Sequence, residues 1–145
     1  MLAKQFRSAN AADLAAILKL LLDSDLFIDD VANQLDQFVV LERDGRVIAT
    51  GGVELHLPYG LLRSVAVAEQ FRSQGIAGEM VEHLTKQARA QGVRELYLLT
   101  TTARSFFERL GFTVLERQYA PVAIQTTSQF SELCPGTASF MHKQL

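Results

Sequence analysis

Residues 38–68 read FVVLERDGRVIATGGVELHLPYGLLRSVAVA, three strand-like runs joined at two tight turns. Asp44-Gly45 is a strong hairpin signal, because such two-residue turns favour residues that tolerate positive φ. HLPYG, residues 56–60, supplies the second turn, and residues 61–68 form the third strand of a meander. The periodicity then changes. Ile76, Met80, Val81, Leu84 and Ala88 share one helical face, and Gly92 stops that helix. A chain that switches here from hairpins to a strand-helix crossover is restricted to a mixed sheet.

The flanking segments extend this pattern. Residues 10–25 read as a helix, with Asn10 as its cap and Asp13 three residues on. A shorter helix covers residues 29–37. After the central helix come a strand over 95–100, a helix over 103–110 closed by Gly111, and a strand over 112–117. Residues 117–137 carry one further helix, PVAIQTTSQFSEL, and residues 138–145 form the closing strand. The order β-α-α-β-β-β-α-β-α-β-(α)-β predicts an α/β (α+β) fold. Its mixed central sheet has six to seven strands, with helices on both faces and a helical insert before the last strand. A crevice where antiparallel connections give way to parallel ones is a natural ligand site.

Composition narrows the function classes. The 145 residues fit one domain, 1–145, and carry a net charge of -2 with no basic stripe, which argues against a nucleic-acid partner. The first residues show no signal-peptide pattern and no run is long enough to span a membrane, so no membrane partner is expected. A single cysteine, Cys134, cannot form an internal disulfide, and a cytoplasmic protein is expected. Cys134 has no evident histidine neighbour to activate it. His56, His83 and His142 form no recognisable cluster, so no metal is expected.

The loop entering the central helix, RSQGIAG at 72–78, carries the chemistry. A helix N-terminus presents unpaired N–H groups and a positive dipole end, which together favour anions. Gly75 permits close approach, Ala77 and Gly78 keep the first turn uncrowded, and Arg72 adds charge. On residues alone, this is either a phosphate site or an ordinary strand-to-helix turn.

The loop together with SFFERLGF at 105–112 resembles the GNAT superfamily of acetyl-CoA-dependent N-acetyltransferases. Arg72, Gly75 and Ala77 match its Q/R-x-x-G-x-G/A loop, and Phe106, Phe107, Gly111 and Phe112 match its second motif. LLRSVAV, ELYLLTTTARSFFERLGF and PVAIQTTSQFSELCPGTASFM further resemble the arsenic-resistance branch. The resemblance implies a GNAT fold, acetyl-CoA as cosubstrate and direct acetyl transfer to a small-molecule amine. The acceptor it implies is amino-acid-like or arsenical, with a role in resistance. It places pantetheine along Val65, Ala66 and Val67, and pyrophosphate on Arg72, Ser73, Gln74, Gly75, Ile76, Ala77 and Gly78. Thr100 and Phe107 stand where other members have a pantetheine-contacting asparagine and a tyrosine acid. Leu61 stands where some members have a glutamate base.

The missing base directs attention to Glu54. If residues 57–60 make an even-length turn, Glu54 lies opposite Arg63 and the two share a face. By alternation, Leu61, Arg63, Val65 and Val67 then share that face and Ser64 takes the other. Glu54 is a candidate base and Arg63 a candidate clamp for a substrate carboxylate, unless the two form a structural ion pair. Thr101, Thr102 and Tyr119 are further candidates on the acceptor side. Thr102 serves equally well as cap of the following helix, and Tyr119 as a packed aromatic. His56 reads as a solvated turn residue. The 117–137 insert is expected either to wall the amine pocket or to form a homodimer contact. Phe107 and Leu61 keep a second function open, a catalytically weak acyl-CoA-binding or sensor module.

Overall fold

The computed structural model describes residues 5–132 and 138–145. Leu133, Cys134, Pro135 and Gly136 lie outside the described residues. The strands are β1 (Gln5–Ser8), β2 (Phe38–Arg43), β3 (Arg46–His56), β4 (Tyr59–Val67), β5 (Glu95–Thr100), β6 (Thr113–Val114) and β7 (Ser139–Gln144). They form a 7-stranded sheet in the order β1-β2-β3-β4-β5-β7-β6. Only β4 and β5 run parallel among the described pairs. The longer helices are α1 (Leu14–Asp23) and α2 (Ile76–Ala90). α3 (Arg104–Arg109), α4 (Val122–Gln125) and α5 (Ser128–Glu132) are shorter. Among the described residues no helix is long and apolar enough to cross a membrane.

Local chemistry explains most of these elements. Asp44 and Gly45 both take positive φ, 56° and 76°, in the turn between β2 and β3. Asn10 Oδ1 accepts from the N–H of Ala12, and Asp13 Oδ2 accepts from the N–H of Asn10, fixing the entry to α1. Alternation along the strands sorts the core. Val39, Leu41, Val53, Leu62, Leu96, Leu98 and Met141 face α2 and α3. Phe38, Val40 and Ala66 meet α1 on the opposite face, and Leu61, Tyr97 and Phe140 there meet Ala120 and Ile124 of the insert. Helices thus cover both faces.

Several expected boundaries shift. Residues 29–37 yield a 3-10 helix over Ala32–Gln37, kinked at Gln34, instead of an α-helix. The strand expected over 112–117 is only Thr113–Val114, because Arg117–Tyr119 turns away as a 3-10 turn. The insert helix breaks into α4 and α5 at Thr126-Thr127. Thr127 Oγ1 donates to the carbonyl of Ile124 at 2.7 Å and accepts from the N–H of Phe130 at 3.2 Å, competing with helix continuation.

The β3–β4 register departs further. Strand pairing runs up to His56↔Tyr59, leaving only Leu57-Pro58 in the turn, so Glu54 pairs with Leu61 and Gly52 with Arg63. The turn is even-length, but two residues tighter than expected, and Glu54 does not face Arg63 directly. A bulge follows. Thr50 pairs with Ala66 while Gly52 pairs with Arg63, so Ser64 and Val65 together stand against Gly51. Ser64 takes φ 60°. The extra residue reverses the pleat: Leu61 and Arg63 face the α1 side, whereas Val65 and Val67 face α2. The uninterrupted alternation expected from Leu61 to Val67 is therefore incorrect.

Candidate active site

β4 and β5 pair only at Tyr59–Leu61 with Glu95–Tyr97, then part. Beyond that point β5 does not cover the β4 edge, so its main-chain groups face open space. The gap is a cleft of about 410 Å³. Leu62–Val65 form one side, and Leu98 through Ala103 the other. Phe106, Phe107 and Ala77 close the α2–α3 end. Ser24–Phe27, the segment leaving α1, and Gln129 of α5 wall the opposite end.

The loop before α2 borders this cleft. Ser73 and Gly75 sit at φ 66° and 80°, and Gly75 caps the helix. A Cβ on Gly75 would meet nothing within 4 Å, so its backbone angle, rather than crowding, calls for glycine. Residues 72–75 are exposed, whereas the side chain of Ile76 is buried in the core and leaves only its main chain to offer. The first N–H groups of a helix have no intrahelical acceptor, and here they open beside the cleft. Arg72 Nε donates to the carbonyl of Val67 at 3.0 Å and Nη2 reaches Ser24 Oγ at 3.4 Å, so its charge braces the loop against β4.

Arg63 is 4% exposed. Its guanidinium donates to both carboxylate oxygens of Asp30 at 2.5 and 2.6 Å, to Gln34 Oε1 at 3.2 Å and to Ser64 Oγ at 2.9 Å. It also lies over the Phe38 ring. A Glu54–Arg63 ion pair is therefore corrected: the partner is Asp30, and the fork expected to meet a substrate carboxylate already holds one. Glu54, 7% exposed, instead meets His56, with Oε1 3.0 Å from Nε2. Its Oε2 is buried without a partner. Glu54 shares the Arg63 face but does not line the cleft.

The other candidates divide. Val65, Ala77, Thr100, Thr101, Thr102 and Phe107 line the cleft. Ala66 and Val67 continue the β4 edge beyond it, their side chains in opposite cores. Thr102 does not cap α3; Thr100 Oγ1 accepts from the N–H of Ala103 at 3.0 Å. Tyr119 is 65% exposed and does not line the cleft, so its expected place at the acceptor side is corrected. The histidines are scattered: His83 stacks on Phe6 and His142 on Tyr97, away from His56. Burial lowers the His83 pKa, with Lys86 contributing. Asp30, Ser24–Phe27 and Gln129 were missed by sequence reasoning. Their only signal was polarity within segments read as helix or helix end.

Comparison with known proteins adds a family match. The Acetyltransferase (GNAT) domain model matches residues 34–114, more than half of the chain. An amino-acid acetyltransferase of Aeromonas salmonicida is 27% identical over 132 residues, covering 85% of this chain and 30% of that protein. One from Yersinia pseudotuberculosis is 29% identical over 134 residues, with the same coverage. The chain thus spans about a third of the length of these relatives. Among solved structures, N-acetylglutamate synthase from Neisseria gonorrhoeae, complexed with coenzyme A and N-acetyl-glutamate, superposes with TM-score 0.84 at 18% identity. That match covers 99% of this chain and 35% of the synthase chain. Rv2747 from Mycobacterium tuberculosis, in complex with CoA, gives 0.80 at 23% identity, covering 97% of this chain and 99% of that one.

Proposed function

Because the chain belongs to the GNAT acetyltransferase family, we propose that it transfers acetyl from acetyl-CoA to the amine of a small amino-acid-like acceptor. The parting of β4 and β5 beside the α2 N-terminus carries this reading. An open strand edge accepts an extended amide-bearing arm as an added strand, and a helix N-terminus beside it accepts phosphate. These features suit the two halves of CoA, which supplies an activated acetyl carbonyl when bound.

In this reading, main-chain groups of Val65, Ala66 and Val67 hold the pantetheine arm. The N–H groups of residues 72–78, with Arg72 behind them, hold the pyrophosphate. Phe107 packs beside the arm and contributes no proton. No tyrosine lines the cleft among the described residues, so the thiolate leaves without a phenolic acid and positioning supplies most of the rate. The acceptor enters between Ser24–Phe27, Thr101, Thr102 and Gln129. Arg63, held by Asp30, fixes that wall and keeps the acceptor end close to neutral. Glu54, behind the Arg63 wall, receives the amine's proton through a water.

The curated relatives and the N-acetyl-glutamate complex support an amino-acid acceptor. An arsenical amine and a resistance role rest on the sequence resemblance and join the same panel. The test is thiol release from acetyl-CoA across amino acids, their amides and amine-bearing arsenicals, with Gly75→Glu as control. Saturable release with one acceptor class supports the reading. CoA binding without release for any amine supports the CoA-binding module, which Phe107 favours.

A further inference from the structure

Glu54 and His56 stand two residues apart on β3, and alternation puts both side chains on one face. Nε2 of His56 lies 3.0 Å from Oε1 of Glu54. The two carboxylate oxygens have unequal surroundings. Oε1 holds the imidazole, whereas Oε2 is buried with no partner among the described residues. The His56 side chain is 30% exposed and that of Glu54 only 9%. A buried carboxylate oxygen without a donor is costly, so a donor such as a water or an ammonium would be stabilised there. Glu54 pairs across the sheet with Leu61, and two residues along β4 on the same face comes Arg63, which lines the cleft. Diagonal neighbours of this kind are roughly 7–8 Å apart along the backbone, so Glu54 stands behind the Arg63 wall and reaches an acceptor in the cleft through water.

We infer that His56 is a positioning residue: its Nε2–H donates to Oε1 of Glu54 and leaves Oε2 free to take a proton from the acceptor's ammonium through a water. The inference rests on the acetylation reading above. The acceptor R–NH3+ gives one proton to Glu54 Oε2 through a water and gains its lone pair. The new C–N bond forms as the C–S bond breaks, and the second amine proton ends on the departing sulfur. The carboxyl proton then leaves Oε2 to bulk through the same water, while the Nε2–H of His56 stays on Oε1. The balance is one amide, one thiol and one proton to bulk.

The test uses His56→Ala in the full chain, with thiol release from acetyl-CoA to L-glutamate and L-glutamine. The expected result is a kcat at least tenfold lower, with KM for acetyl-CoA within twofold of wild type. Free imidazole recovers several-fold of that rate in His56→Ala but none in Glu54→Gln. His56→Gln, which keeps an N–H donor, retains most of the wild-type kcat, and a His56→Gln as slow as His56→Ala overturns the inference. A wild-type kcat in His56→Ala, a loss confined to KM for acetyl-CoA, or no rescue by imidazole overturns the inference. If wild type acetylates neither amino acid, the acetylation reading fails for them, and the pair is read from 15N ring signals of His56. Signals that move on Glu54→Gln support the pairing, and unmoved signals overturn it.

Discussion

Arg7 grips Asp13 through Nη1 and Nη2 at 2.8 and 2.9 Å, and Asp13 also accepts the N–H of Asn10. The Arg7 hydrogen bonds hold the Asp13 carboxyl below its ordinary value of 3.8, against the opposing effect of burial. A depressed carboxylate pKa means that the unfolded chain binds more protons in acid. The stabilisation is therefore full above the ordinary Asp range and is lost as pH falls through the folded value. Asp13→Asn is expected to cost roughly 2 kcal/mol at pH 7. In urea unfolding from pH 7 to pH 3, its difference from wild type should shrink below about pH 4. A difference constant over that range would locate the stabilisation elsewhere. The pair also shows what sequence can reach. Asn10 and Asp13 were legible because a capping box is a local pattern. The bond from Arg63 to Asp30 was not, because it joins residues 33 positions apart, brought together by the sheet and the α1–β2 connection. The bulge was equally hidden: in LLRSVAV a reversal of pleat at Ser64 leaves the apolar pattern unchanged.

Elements with their own periodicity and caps were read correctly from sequence. β5 has the expected bounds, and α2 starts beside Gly75 and ends just before Gly92. The insert was harder, because its helix break depends on one threonine hydroxyl and its position on contacts to Leu61, Tyr97 and Phe140. Ile124 is fully buried in that contact. Ile124→Ala should cost about 2–5 kcal/mol of packing. If the insert walls the acceptor end through Gln129, the acceptor KM rises while the CoA Kd, measured by calorimetry, stays within twofold. An equal loss in CoA affinity would assign the insert to the cosubstrate instead. The loop before α2 has the opposite dependence. Gly75→Glu places a side chain at φ 80° and a negative charge among N–H donors. It is expected to weaken CoA binding more than tenfold, and unchanged affinity would remove the phosphate role from residues 72–78.

On the scale of the whole molecule, one sheet carries two unequal halves whose strands pair, among the described residues, at Tyr59–Leu61 and Glu95–Tyr97. A ligand bridging the gap binds the folded state and not the unfolded chain. Acetyl-CoA at a hundredfold excess over its Kd should therefore add about 2.7 kcal/mol, seen as a rise of roughly 8 °C in Tm by differential scanning. No shift at saturating CoA would show that the cleft does not take it. The strand order has a separate consequence for synthesis. β7, the latest strand in sequence, lies between β5 and β6. A ribosome must therefore deliver Ser139–Gln144 before β6 gains its partner in the sheet or β5 its second. Until then β5 shows a bare edge to every other nascent chain nearby. A stop codon upstream of Ser139 would leave not a shorter domain but a split sheet, fit for chaperones and proteases.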